Sequence, residues 1–203
     1  MALGYDSRDV WGDPRRGWLN ELQVVKTGGV LGGSGDFWTA HLDARRFQPL
    51  FSPRTLVLAG LLSLQSGRLG RDLPEYLDFH LGGSNTIRGQ NLANLGRVLH
   101  GKNQLIGTLE YRIPLLPIRE YELFRLPADL GLAGAFFADA GLAWNQREEF
   151  AAERGRAGFG FGLRLLMPAV EMVRLDLGFD TDGNRRVHLA AFSKMHAQRL
   201  RLR

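Results

Sequence analysis

Apolar and polar or glycine residues alternate through most of this chain, and that period of two constrains the fold more than any other feature. Only a β-strand turns successive side chains to opposite faces. Leu105, Gly107, Leu109, Tyr111 and Ile113 share one face. Gln104, Thr108, Glu110 and Arg112 share the other, with Ile106 the exception. Ala157, Phe159, Phe161, Leu163 and Leu165 alternate with Arg156, Gly158, Gly160, Gly162 and Arg164. Val173, Leu175, Leu177 and Phe179 alternate with Arg174, Asp176, Gly178 and Asp180, and Trp38, Ala40, Leu42 and Ala44 with Thr39, His41, Asp43 and Arg45. Leu130, Leu132, Phe136, Ala138 and Ala140 alternate with a face of small residues ending at Asp139. Each run is about 9–11 residues, the length of a tilted strand crossing a bilayer. Strands of soluble sheets are typically ~5–6 residues.

With 44% hydrophobic residues the chain folds rather than staying disordered. Its longest apolar stretch, 55–64, is far short of the ~20 residues of a membrane helix. Two architectures fit. A soluble antiparallel sandwich would bury the leucines and expose the charges; a barrel in lipid would do the reverse. Strand length favours the barrel, and a face mixing arginine, aspartate and glycine suits a wet lumen with something packed inside. There are no cysteines, so disulfides and thiolate metal sites are excluded. Met1-Ala2-Leu3 runs into Gly4-Tyr5-Asp6 without the charged and apolar regions of a signal peptide, so an exported protein would have its start elsewhere. The net charge is +5 and the pI about 10.1, but the arginines are spread through strands and loops. We therefore expect no nucleic-acid partner.

Turn signals divide the chain into eight full strands, with residues 4–8 the remnant of one more. They include Asp13-Pro14, Gly32-Gly33-Ser34-Gly35, Pro168-Ala169 and Asp182-Gly183-Asn184. One connection, about 65–101, is long and shows no clean strand. A loop of that length inside a compact domain is functional or disordered, and its centre, His80-Leu81-Gly82-Gly83-Ser84-Asn85-Thr86-Ile87-Arg88-Gly89-Gln90, reads as ordered.

That centre carries a family resemblance. Gly82-Gly83-Ser84-Asn85-Thr86-Ile87-Arg88-Gly89 resembles the Gly-Gly-x-x-x-[Val/Ile]-Arg-Gly-[Phe/Tyr] signature of the bacterial surface antigen group, the BamA, TamA and two-partner-secretion barrels. Further signposts follow in family order. Leu109-Glu110-Tyr111-Arg112-Ile113-Pro114 resembles a Glu-Tyr-Arg-x-Pro strand, and Phe137-Ala138-Asp139-Ala140-Gly141 a Phe-x-Asp-x-Gly strand. Gly160-Phe161-Gly162-Leu163-Arg164 with Pro168 resembles the penultimate region, and Tyr5-Asp6-Ser7-Arg8-Asp9 an upstream strand end. Gln90 stands where the family has an aromatic, and residues 195–203 form a basic tail in place of a terminal aromatic.

The resemblance implies an all-β antiparallel transmembrane β-barrel or half-barrel of about eight long strands, forming one C-terminal membrane domain over 1–203. The long loop would fold into the lumen and bring its motif, Gly82, Gly83, Ile87, Arg88 and Gly89, against the acids Glu110 and Asp139. Both acids fall on polar strand faces, and a guanidinium fork can bridge two carboxylates. The implied function is insertion or translocation of proteins at the bacterial outer membrane. Its partners would be outer-membrane lipid, unfolded or secreted protein substrates, and a missing N-terminal barrel half or a second copy. The alternatives are a barrel that anchors or exports a fused passenger, a narrow passive pore, and a soluble β-sandwich binding protein. His41, His80, His100, His188 and His196 lack metal-ligand spacing, and His41 and His188 fall on polar strand faces. The Gly-x-Gly-x-Gly near Gly158 precedes no helix, and there is no Gly-x-Ser-x-Gly elbow. We expect no catalysis, no cofactor and no metal.

Overall fold

The computed structural model describes residues 1–10, 13–32, 35–91, 99–123, 126–167 and 170–191. Nine strands form one antiparallel sheet. They are β1 (Ala2–Asp6), β2 (Gly17–Gly28), β3 (Asp36–Pro49), β4 (Thr55–Gln65), β7 (Asn103–Leu123), β8 (Leu126–Trp144), β9 (Arg156–Met167), β10 (Val170–Asp180) and β11 (Arg185–Ala190). Each pairs with its sequence neighbours, in the order β1-β2-β3-β4-β7-β8-β9-β10-β11. Between β4 and β7 the long connection adds a short hairpin of β5 (Phe79–His80) and β6 (His100–Gly101). Among the described residues β1 and β11 do not pair, so the sheet is an open half-barrel. The Pro168-Ala169 turn, Gly33, Ser34 and the basic tail lie outside the described residues.

The faces have the polarity of a membrane barrel. Phe159, Phe161 and Leu175 are 54%, 49% and 47% exposed, whereas Arg164 and Arg174 on the same strands are 0% and 4% exposed. A soluble sandwich would show the opposite, because charged groups leave water only when paired. Apolar residues face outward on every long strand, and the surface they form needs lipid to cover it. Two Trp–cation pairs cross β2 and β3 on this outer face. Arg46 lies over Trp18 at one end, and Lys26 over Trp38 at the other. Amphipathic rings and long cations of this kind sit at the water–lipid boundary.

The lumen face is not uniformly polar. Leu19, Phe47 and Val57 form one apolar cluster inside, and Leu81, Ile87, Leu99, Ile106 and Ala143 form another. Ile106, the exception to its strand's alternation, is thus an inward seat for the loop. Phe137 also points inward, from the face read as small residues; it is 4% exposed.

The chain departs from the expected run length at β7 and β8, which span 21 and 19 residues. Pairing of β4 with β7 stops at Thr55–Arg112, and pairing of β8 with β9 starts at Gly131–Leu166. Beyond those points β7 and β8 pair only with each other. Pro114 and the register shifts around Leu116 break the alternation there, which hid the extension in the sequence. The antiparallel strand order puts the ends of β2, β4, β8 and β10 on one side of the sheet, where the long connection from β4 to β7 begins.

The outward polarity is directly testable. Phe161→Arg places a charge mid-strand on the lipid face and should cost about 2–4 kcal/mol, read by urea unfolding of the folded chain in lipid vesicles. A cost near zero would mean that this face meets water.

Candidate functional site

The tip of the long connection is a compact turn. The Gly82 amide donates to Thr86 Oγ1 at 2.7 Å, and that hydroxyl donates back to the Gly82 carbonyl at 2.7 Å. The Gly83 amide donates to the Gln90 carbonyl at 3.1 Å and closes the turn. Ile87, fully buried, packs in the apolar cluster with Ile106. That contact fixes the depth of the tip and delivers Arg88 into the lumen.

Arg88 has no exposed surface. Its Nε donates to Asp139 Oδ2 at 2.7 Å, and its Nη2 to Asp139 Oδ1 at 3.1 Å. Its Nη1 donates to Glu110 Oε2 at 2.8 Å and to Asp176 Oδ2 at 3.3 Å. Even its backbone amide donates to Asp139 Oδ2, at 3.1 Å. The guanidinium carbon stands 3.5 Å from the centre of the Phe137 ring, a cation–π contact shielded from water. Burial disfavours the charge on Arg88. The carboxylates of Glu110, Asp139 and Asp176 outweigh it and raise its pKa above the ordinary guanidinium value.

The structure therefore brings Arg88 together with both acids singled out in the sequence, Glu110 on β7 and Asp139 on β8, and adds Asp176 on β10. A second buried guanidinium, Arg164 on β9, donates to Glu110 Oε2 at 2.9 Å and pairs with Asp176. Arg112 Nε bonds Glu110 Oε1 at 2.8 Å, and its Nη1 reaches Asp13 of the 7–16 connection at 3.4 Å. Thr108 Oγ1 donates to Asp139 Oδ1 at 2.7 Å. Four adjacent strands thus converge on one network.

Gly89 takes φ +96°, and a Cβ there would meet the Phe179 backbone. Its amide donates to His188 Nε2 at 3.0 Å, tying the tip to β11 as well. On the wall, a Cβ at Gly158 would overlap the Arg88 carbonyl, so the tip main chain lies against bare backbone. Gln90, at the position of the family aromatic, donates its amide to the Ala157 carbonyl at 3.1 Å. The position is filled by a hydrogen bond rather than a ring stack.

Phe137, Arg164, Asp176, Arg174 and His188 were not picked out as tip contacts from the sequence. The alternation does place Arg164, Arg174 and Asp176 on the polar face. Which of them meet depends on strand register, which a period of two does not supply. Among the described residues no cluster of three or more His, Cys, Asp or Glu has the geometry to hold a metal.

The Omp85 superfamily domain profile matches residues 1–191. The fold is similar to that of BamA from Haemophilus ducreyi lacking POTRA domains 1-3, with a TM-score of 0.69 and 15% identity. That match covers 94% of this chain and 40% of the other, so this chain spans about two fifths of that structure's length. At such identity the likeness shows a shared fold. The family profile, which takes in nearly the whole chain, shows more: the protein belongs to the Omp85 superfamily of bacterial outer-membrane β-barrel proteins.

Proposed function

We propose that this chain is the C-terminal part of an outer-membrane barrel that inserts or translocates proteins, with the Ile87-Arg88-Gly89 tip as the internal anchor of its wall. The supporting observation is Arg88, fully buried and shared by acids from β7, β8 and β10. A tip bonded to several strands at once holds their spacing from inside, without a closed ring of backbone hydrogen bonds. That suits a barrel whose edges must open. Strand edges with unpaired N–H and C=O groups can accept an incoming extended segment. The end that carries the tip's long loop faces outward, and the opposite end faces the periplasm. The single membrane domain reaches closure with a complementary half, on a longer chain or in a second copy. Its substrates are unfolded or secreted proteins, and the transport chemistry needs no cofactor or catalytic group.

Arg88→Ala would leave three carboxylates facing a cavity. Removing one partner of a buried ion pair costs about 3–5 kcal/mol. The loop should then become protease-sensitive in outer-membrane preparations, while outward-face residues stay shielded. Unchanged loop protection in that variant would sink the anchoring role. Gly158→Val should act from the wall side, since its side chain occupies the space of the Arg88 carbonyl. We expect loop exposure comparable to that of Arg88→Ala, read by the same proteolysis; Gly60→Ala, in open space on β4, is the control. The transport reading is tested with liposomes carrying the full-length protein and an unfolded barrel substrate. Faster substrate insertion than in empty liposomes, reduced by Arg88→Ala, is expected. Insertion no faster than in empty liposomes contradicts it.

A further inference from the structure

Arg174 on β10 is 4% exposed, yet among the described residues it makes no ion pair. Its Nη2 donates instead to two neutral acceptors on the loop, the Ser84 carbonyl at 3.1 Å and Asn85 Oδ1 at 3.2 Å, and its Nε has no partner. A buried cation held only by neutral groups is costly.

Asp176 lies two residues further along the same strand and the same face. At that spacing the chain closes ion pairs elsewhere: Arg8 with Asp6 at 2.6 Å, Arg45 with Asp43 at 2.5 Å, and Arg112 with Glu110 at 2.8 Å. Arg174 and Asp176 share that spacing on one strand face, and among the described residues no ion pair joins them. The reason is on the other side of Asp176. Arg164 holds its Oδ1, and Arg88 of the docked tip holds its Oδ2 at 3.3 Å. Arg164 is also the direct cross-strand neighbour of Arg174, so like charge discourages a third guanidinium while the tip is in place.

We propose that Arg174 is a switch cation. With the tip docked it grips Ser84 and Asn85; when the tip withdraws, it closes onto the Asp176 oxygen that Arg88 vacates. The wall then has a paired state ready for each position of the loop. Docking becomes a reversible two-state equilibrium rather than a permanent plug. The inference concerns that equilibrium and stands apart from what the barrel transports.

The sign of one substitution decides it. If Arg174 were only a docking contact, Arg174→Gln would loosen the tip. If it is a switch, Arg174→Gln removes the ion pair of the withdrawn state and relieves an unpaired charge in the docked state, so the tip withdraws less often. Hydrogen exchange of residues 82–90 in the folded full-length protein reads this, because the Arg88 and Gly89 amides bond to the wall only when docked. We expect exchange in Arg174→Gln about fivefold slower than in the wild type, equivalent to about 1 kcal/mol at 1.4 kcal/mol per factor of ten. Equal or faster exchange overturns the proposal. Arg174→Met supplies the second arm if Arg174→Gln fails to fold by heat-modifiable gel mobility. It fills the space with neither charge nor donor, so a mere docking contact to Ser84 and Asn85 predicts faster exchange of the tip than in the wild type. The switch predicts slower exchange, because the ion pair of the withdrawn state is gone; exchange at the wild-type rate or faster counts against it.

Discussion

A guanidinium with no contact to water can exist only inside a complete set of acceptors, and much of this structure follows from supplying that set to Arg88. Isolated charges are too costly to leave in a low-dielectric interior. Asp139, Glu110 and Asp176 must therefore stand on the same face at matching heights of three strands. Phe137 must turn inward to cover the flat of the fork. Bare backbone at Gly158 must let the tip close enough to bond. The apolar seat at Ile106 sets the depth, and the ion cluster sets the orientation.

The surrounding solvent decides why such a network is internal at all. In water, the leucines and phenylalanines of β9 and β10 would form the core and the arginines would be solvated. In lipid the order inverts, and the lumen becomes the place where charge can be paired. Among the described residues the sheet ends at β1 and β11, which do not pair with each other. In the proposed function, a wall pinned from inside by a loop would not depend on the last pair of strands to stay ordered, and those edges would be available to a complementary half or an incoming strand.

Much of this was legible in the residues. The period of two gave the faces of β3, β7, β8, β9 and β10, because side-chain alternation is a local property of the backbone. The Ile-Arg-Gly motif and its two acids were legible through resemblance and through the strand faces of Glu110 and Asp139. Partners set by register were not. Asp176 and Arg164 are 12 residues apart in sequence, and nothing local says that they share a cluster with residue 88. Phe137 was hidden because a single large ring among alanines and glycines looks like an outward residue out of phase. The long β7–β8 extension was hidden by Pro114 and Pro117, which remove ladder donors without ending a strand whose neighbours have already stopped.

The most direct measurement of the central claim is the energetic coupling between loop and wall. The single variants Arg88→Gln and Asp139→Asn and their combination, compared by urea unfolding in lipid vesicles, isolate that term. A docked, water-free pair predicts a coupling of about 1.5 kcal/mol or more. Additive losses in the double variant would mean that residues 88 and 139 do not meet in the folded barrel, and the account of an internally anchored wall would fail.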